Sequence, residues 1–217
     1  MIFLLAFINL SIYLIQLLLG LIAIRTRKIR SRKFSFPTGS QIEPNHLIEK
    51  YFYDESYEFE IKATDEIDEP AEATEDFLWV NKKVLNKSDL YSNFYLIYQA
   101  ELTSSKYKFL RMYNSIQATI FFLKLIFIIV GIMSGGFVGL IILFLTLFTN
   151  LVILALWIVA YNQQTDAINK SKEVALAVMK LDDVEVARLN ALTNDLRYEL
   201  LEYPWEIFWR LWVFFTP

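Results

Sequence analysis

The feature that most constrains this chain is an N-terminal segment, Ile2 to Ile24, in which no residue is charged. A helix of this length is about 34 Å long at ~1.5 Å per residue, which is enough to cross the hydrocarbon core of a bilayer. Neither a basic leader nor a small-x-small cleavage site marks it as a secretory signal peptide. The segment therefore predicts a retained transmembrane anchor over residues 1–24.

A dense basic run, RTRKIRSRK, follows the anchor at residues 25–33. Basic residues beside a span are enriched on the cytoplasmic side, so the run places the N-terminus outside the cell. Such a run also suits binding to anionic lipid or nucleic acid. Its position next to a predicted span favours the topology signal, and we expect no nucleic-acid partner.

Two further apolar runs, residues 118–133 and 137–160, are joined by Gly135 and Gly136 with no charge in the loop. They predict a transmembrane hairpin over residues 117–161, with its tip outside and both other ends cytoplasmic. The share of hydrophobic residues, 55% of 217, is high for a soluble domain of this length.

Lys124 and Asn150 are polar side chains within the predicted hairpin. Lys124 lies about two turns from its cytoplasmic end, and we expect it to extend towards the headgroups. Asn150 is expected to form a hydrogen bond between helices. Both also allow a transport role, which is one alternative for the function.

Residues 25–116 form a predicted cytoplasmic α+β domain. After a short helix, NHLIEKYF, the alternation of Tyr57, Phe59 and Ile61 with glutamates predicts a strand. A second strand, Phe77 to Val80, is expected to pair with it.

An acidic loop is predicted between these strands, at residues 62–76. Calcium binding is disfavoured because the loop lacks the glycine and ligand order of an EF-hand. A solvated loop is favoured, and a surface for protein partners comes second. The residues that we expect to contact partners here are Asp65, Glu66, Asp68, Glu69, Glu72 and Trp79.

Helical spacing resumes at Ser88, a predicted N-cap, and indicates one helix that reaches Leu110 and leads into the second span. Residues 162–203 predict cytoplasmic helices, the last beginning at Asp182 or Asp183. Residues 204–217 are crowded with aromatic side chains, and Trp205 and Trp209 are further interaction candidates. This segment predicts a helix in the membrane interface, with an oblique fourth span as the alternative.

The residue inventory excludes several kinds of site. The chain has no cysteine, so disulfides, thiolate nucleophiles and cysteine-bound metals are impossible. His46 is the one histidine, which leaves too few for a histidine-pair metal site.

The order of these elements resembles the small membrane-bound neutral zinc metallopeptidases of the YugP type. Local stretches carry the likeness. PTG at Pro37 to Gly39 resembles a turn before the family's first helix, and VNKKV at Val80 to Val84 resembles the segment before its metal helix. LVILALWIVAYN at residues 151–162 resembles the end of its third span.

The resemblance implies a His-Glu-x-x-His motif, whose histidines bind zinc and whose glutamate polarises a water molecule. The aligned positions here are Tyr98 and Leu102 for the histidines, Gln99 for the glutamate and Ala160 for a later glutamate ligand. Glu101 is the one carboxylate near the motif. Leucine and alanine have no donor atom, and glutamine cannot act as a general base. The resemblance therefore implies a degenerate member without zinc, other cofactor or peptidase activity.

Taken together, the sequence predicts a mainly α integral protein of the cell (plasma) membrane. Three transmembrane helices and a C-terminal interfacial helix would carry the small α+β domain. Its expected role is that of a non-catalytic subunit or anchor that binds the lipid bilayer and other membrane and cytoplasmic subunits. An active zinc peptidase with an unusual site is the other alternative, besides transport.

Overall fold

The computed structural model describes residues 1–35, 37, 43–49, 60–67, 69–74, 77–85 and 89–197. Their fold is mostly helical, with one small sheet. The helices are α1 (Ile2–Phe34), α2 (Pro44–Leu47), α3 (Leu90–Thr103), α4 (Lys108–Ser134), α5 (Gly136–Val178) and α6 (Asp183–Leu196). The strands are β1 (Glu60–Thr64), β2 (Ala71–Ala73) and β3 (Phe77–Asn81).

The described residues divide into two compact units. The first contains residues 1–26 and 112–161, and the second contains residues 27–111 and 162–197. The first unit thus combines the predicted anchor with the predicted hairpin. The second combines stretches that lie on either side of that hairpin in the sequence.

The first unit is built from three apolar helical segments. Tyr13 of α1 stacks on Phe121 of α4 with ring centroids 4.6 Å apart, and Ile128 belongs to the same buried cluster. Most other apolar side chains of these helices are exposed. Their exposure separates them from the core helix of a soluble protein, which buries its apolar side chains.

Two helices of the described part of the chain are long and apolar enough to cross a membrane. One is the stretch Ile2–Ile22 of α1, and the other is α5. The apolar stretch of α4, Thr119–Ser134, is shorter. By length and composition, α1 and α5 are therefore candidate spans.

The turn between α4 and α5 is as tight as the two glycines predict. Gly135 and Gly136 have φ values of 59° and 48°, a region that favours glycine. Beyond the turn, the helices approach closely at two further glycines. A Cβ atom on Gly139 would lie 2.3 Å from the carbonyl oxygen of Gly131, and one on Gly131 would lie 2.8 Å from Cγ of Leu143. Small residues at such contacts let helix backbones pack against each other.

The second unit contains the sheet, whose strand order is β1-β3-β2. β1 runs parallel to β3, and β2 runs antiparallel to it. The buried side chains of β3 are Leu78 and Val80, and α3 is a helix that packs on this sheet.

The strands differ from the sequence prediction in two respects. The first strand is Glu60–Thr64, whereas Tyr57 and Phe59 of the predicted strand lie outside the described residues. The segment predicted as a loop over residues 62–76 contains the end of β1 and all of β2. β2 was missed because its stability comes from pairing with β3, a tertiary contact with no local hydrophobic pattern.

The long helix predicted from Ser88 to Leu110 is interrupted. Asp89 is the N-cap of α3 and accepts a hydrogen bond from the backbone of Ser92 at 2.8 Å, while Ser88 lies outside the described residues. α3 ends at Thr103, and the 3₁₀ turn Ser105–Tyr107 separates it from α4. The guanidinium of Arg111 donates to the carbonyls of Leu102 and Ser104, so it satisfies acceptors that the end of the helix leaves open.

The C-terminal half of the chain begins with one long helix. α5 continues to Val178, so the first part of residues 162–203 belongs to the same helix as the predicted third span. α6 begins at Asp183, one of the two predicted starts, and its N-cap Asp182 forms a capping box with Glu185. The aromatic segment 204–217, with Trp205 and Trp209, lies outside the described residues.

The glycine contact in the hairpin can be tested with Gly139→Ala. Because the new methyl group meets a backbone oxygen, α4 and α5 must separate, and overpacking of this kind costs about 1–3 kcal/mol. We expect a lower midpoint of thermal unfolding in detergent. Gly135→Asn is the control, since asparagine tolerates positive φ and no atom lies within 4 Å of a Cβ there. Equal midpoints for the two variants would contradict the close approach.

Candidate functional site

The positions aligned with the zinc motif lie on α3, which is buried from Leu90 to Leu102. This helix packs against β2, β3, α2 and α6. A helix that is covered on all sides must provide an internal partner for each polar group that it carries. The polar contacts of α3 therefore define what the candidate site can do.

The two positions aligned with histidines are filled by bulky side chains of the interior. Tyr98 and Leu102 are 2% and 6% exposed. The hydroxyl of Tyr98 accepts a 3.5 Å contact from Nε2 of Gln164, which also donates to the carbonyl oxygen of Leu196 at 3.1 Å. Tyr98 thus joins a polar contact that links α3, α5 and the end of α6. Ala160, the fourth aligned position, belongs to the first unit and is fully buried.

Gln99, at the position of the general base, connects α3 to the sheet. Its Oε1 accepts a hydrogen bond from the backbone N–H of Ala73 at 3.0 Å. The bonds Asn81 N to Pro70 O and Thr74 N to Phe77 O set the pairing of β2 with β3. In that pairing the N–H of Ala73 points away from β3. Gln99 therefore satisfies a donor on the outer edge of β2.

Glu101, the carboxylate nearest the motif, forms an ion pair. It is 2% exposed, and its Oε1 lies 2.6 Å from Nζ of Lys170 on α5. Burial of an unpaired carboxylate is costly, so this contact is the condition for keeping Glu101 inside. The Glu101 carboxylate is therefore already engaged in a contact within the protein.

A second charged contact lies one turn earlier on α5. Asp166 accepts hydrogen bonds from the hydroxyl of Tyr107 at 2.7 Å and from Nζ of Lys106 at 2.6 Å. These bonds, chiefly that from Lys106, lower the pKa of the Asp166 carboxyl. Burial, reinforced by the bond to Asp166, raises the pKa of the Tyr107 hydroxyl. At neutral pH a protonated tyrosine therefore donates to an ionised aspartate, which is a strong form of hydrogen bond.

Metal-binding groups do not converge in the part of the chain that the structure describes. Within it, no three histidine, aspartate or glutamate side chains are placed to hold a metal ion. His46 is exposed on α2. The groups at the aligned positions are a phenol, an amide and two aliphatic side chains, which are poor zinc ligands.

The acidic interaction candidates differ in their partners and exposure. Asp65 is exposed and pairs with Lys82 at 3.2 Å. Glu69 accepts a 2.7 Å hydrogen bond from the hydroxyl of Tyr91. Glu66 and Glu72 are exposed, and Asp68 lies outside the described residues. Trp79 is half-buried on β3.

Polar side chains also meet within the apolar first unit. Asn150 donates to Oδ1 of Asn9 at 3.1 Å, and Asn9 donates to the carbonyl oxygen of Leu143 at 3.0 Å. The predicted interhelical role of Asn150 is thus confirmed. Asn9 was missed, although a polar residue in an otherwise uncharged span is itself a signal.

Lys124 does not extend outward as its position near the end of a span predicted. It is 4% exposed, and its Nζ donates to Oε1 of Gln16 on α1 at 3.3 Å. The sequence prediction considered only the helix that carries the lysine. The amide partner comes from another helix.

No protein-family model, curated protein or solved structure matches the chain.

The ion pair between Glu101 and Lys170 can be tested by removing its cation. Lys170→Met leaves the buried carboxylate without its charged partner, which costs about 1–3 kcal/mol; we expect a value at the low end, because Lys170 is half exposed. Lys172→Met, on the same helix, is the control. The midpoint of thermal unfolding should fall for Lys170→Met and should stay unchanged for Lys172→Met.

The double variant Glu101→Gln/Lys170→Met completes this test. Because both charges are then gone, it should be more stable than Lys170→Met. If the stability lost in the double variant equals the sum of the losses in Glu101→Gln and Lys170→Met, the ion pair does not couple α3 to α5.

Proposed function

We propose that this chain is a non-catalytic, multi-pass protein of the plasma membrane that serves as a structural or interaction subunit of a larger complex. Its likeness to membrane zinc metallopeptidases then makes it a pseudopeptidase. Its partners would be the lipid bilayer and other protein subunits, both membrane and cytoplasmic, and the proposal includes no cofactor.

The observation that carries the proposal is the use of the motif positions for internal contacts. The amide of Gln99 holds the edge of β2, and the phenol of Tyr98 contacts Gln164. A catalytic zinc site keeps a coordination position open for water and substrate. Side chains already engaged in the protein interior favour a structural role for α3.

The membrane part of the proposal draws on the first unit. Its exposed surface is rich in large apolar side chains, and α1 and α5 are long enough to span a bilayer. The hydrogen bonds from Asn9 and Asn150 tie α1 to α5. Such contacts favour α1 as a lasting part of the bundle. The stack of Tyr13 on Phe121 joins α4 to α1, and we include α4 as a third span.

The orientation that we propose has the N-terminus outside and residues 25–116 in the cytoplasm. The basic run that begins at Arg25 supports this side for the domain. The uncharged hairpin tip at Gly135 supports the opposite side for the turn.

A transport role is less well supported by the same helices. Lys124 and Asn150 are buried polar residues of the kind that line transport paths. Each has a partner on α1, namely Gln16 and Asn9. Helix association accounts for both side chains, so we favour a structural role for them.

The proposed orientation can be tested directly because the natural chain has no cysteine. Single cysteines are introduced as Ser134→Cys at the hairpin tip and Lys83→Cys after β3, both at exposed positions. We expect a membrane-impermeant maleimide to label Ser134→Cys on intact cells and Lys83→Cys only after permeabilisation. The reverse pattern would invert the orientation, and labelling of both on intact cells would contradict the hairpin.

The subunit role predicts stable partners. The tagged native protein is extracted with a mild detergent, sized, and analysed by mass spectrometry together with its zinc content. We expect a stoichiometric set of co-purifying proteins and no stoichiometric zinc. A lone monomer or dimer would contradict the subunit role. Stoichiometric zinc that is lost in Glu101→Gln or His46→Ala would instead support the peptidase alternative.

A further inference from the structure

The sheet of the second unit has a face of mixed aromatic and charged side chains. Along β3, Leu78 and Val80 are buried, whereas Phe77 and Trp79 alternate with them and are only half-buried. Successive side chains of a strand point to opposite faces, so the two aromatic rings share one face. Their centroids are 5.9 Å apart with the rings tilted by 51°.

The strand register places charged residues beside both rings. Trp79 pairs with Lys62 of β1 on one side and with Glu72 of β2 on the other, and Phe77 pairs with Glu60. Glu60 and Glu72 are exposed. Paired residues of neighbouring strands lie on the same face, so each ring has a carboxylate next to it across the sheet.

This face already holds one cation of the chain itself. Nζ of Lys62 lies 3.5 Å from the ring centroid of Phe77 and 5.8 Å from that of Trp79. It also lies 3.4 Å from the carboxylate of Glu60. The quadrupole of an aromatic ring attracts a cation over its face, and a nearby carboxylate adds to the attraction. The position of Lys62 therefore shows that this face accommodates a cation.

We propose that this aromatic-acidic face, formed by Glu60, Lys62, Glu72, Phe77 and Trp79, binds an arginine- or lysine-rich segment of a protein partner. The proposal rests on the proposed subunit function and names the chemistry of one partner. Trp79 offers a ring for a guanidinium or ammonium group. Glu72 offers a negative charge beside Trp79, on the opposite side of that residue from Lys62.

Charge separates this partner from the other candidates. Glu60 and Glu72, both exposed, lie beside the rings, and the exposed Glu66 follows β1. Nucleic acid and anionic lipid would be repelled by these carboxylates. A cationic segment gains from them and from both rings, and the steering effect raises its rate of association.

Lys62 is an internal competitor in this arrangement. An incoming arginine or lysine must share Phe77 with the Lys62 ammonium or displace it. Removal of Lys62 also removes a positive charge from the face. We therefore expect Lys62→Met to strengthen binding, a direction that a merely structural role of Lys62 does not predict.

The test uses the purified full chain in detergent and a fluorescent synthetic peptide of alternating arginine and alanine, with alternating glutamate and alanine as the control peptide. Binding is followed by fluorescence anisotropy. We expect Trp79→Leu to weaken binding of the arginine peptide about fivefold, and Trp79→Phe to retain most of the affinity. Glu72→Gln should also weaken binding, and Lys62→Met should tighten it. The glutamate peptide should not bind.

Asp65→Asn is the matched control for Glu72→Gln, because it removes an exposed carboxylate from outside the paired row. Equal losses of affinity in Asp65→Asn and Glu72→Gln, with no loss in Trp79→Leu, would show that the peptide is held only by diffuse electrostatic attraction. That result would overturn the proposal. If Trp79→Leu is misfolded by thermal unfolding, the comparison of Glu72→Gln with Asp65→Asn decides, because diffuse attraction predicts equal losses of affinity and the proposed face predicts a larger loss for Glu72→Gln. If stable partners co-purify but no variant changes peptide binding, this inference alone is overturned. If the chain purifies without partners, the subunit role itself is contradicted.

Discussion

The second unit depends on the complete burial of α3, because a helix without a solvent face cannot leave its polar side chains to water. Gln99 meets this condition through the N–H of Ala73 on β2, and Glu101 meets it through Lys170 on α5. The contacts that satisfy the helix are thus the same ones that attach it to the sheet on one side and to α5 on the other. Loss of either partner leaves a buried polar group unsatisfied and also loosens the packing.

The first unit meets a related constraint with fewer polar groups. If its helices lie in lipid, apolar burial does not distinguish one helix partner from another, and association relies on close packing and hydrogen bonds. Gly131 and Gly139 supply the close packing between α4 and α5. Asn9 and Asn150 supply the directional bond between α1 and α5. These few residues fix a packing that the surrounding leucines and phenylalanines leave undetermined.

Local patterns in the sequence predicted the features that local chemistry determines. The apolar runs gave the helices of the first unit, the glycines gave the turn, and Asp182 gave the start of α6. The interruption after Thr103 was missed because Arg111, which caps that end, comes from the next helix. The roles of Gln99 and Glu101 were missed because their partners, Ala73 and Lys170, are distant in the sequence, and periodicity cannot reveal such contacts. β2 was missed because its three residues are too few to show an alternating pattern, although its partner β3 is the next strand.

The amide of Gln99 suits its buried position better than a carboxylate would. An amide oxygen can accept from the Ala73 N–H without a charge that must be neutralised, so Gln99 suits a buried position next to a strand edge. A glutamate at this position would place a second carboxylate on α3, two positions from Glu101, with Lys170 already engaged. Two buried carboxylates with one cation are costly. A glutamate at position 99 would therefore destabilise the second unit, and the neutral amide there lets α3 remain buried against the sheet.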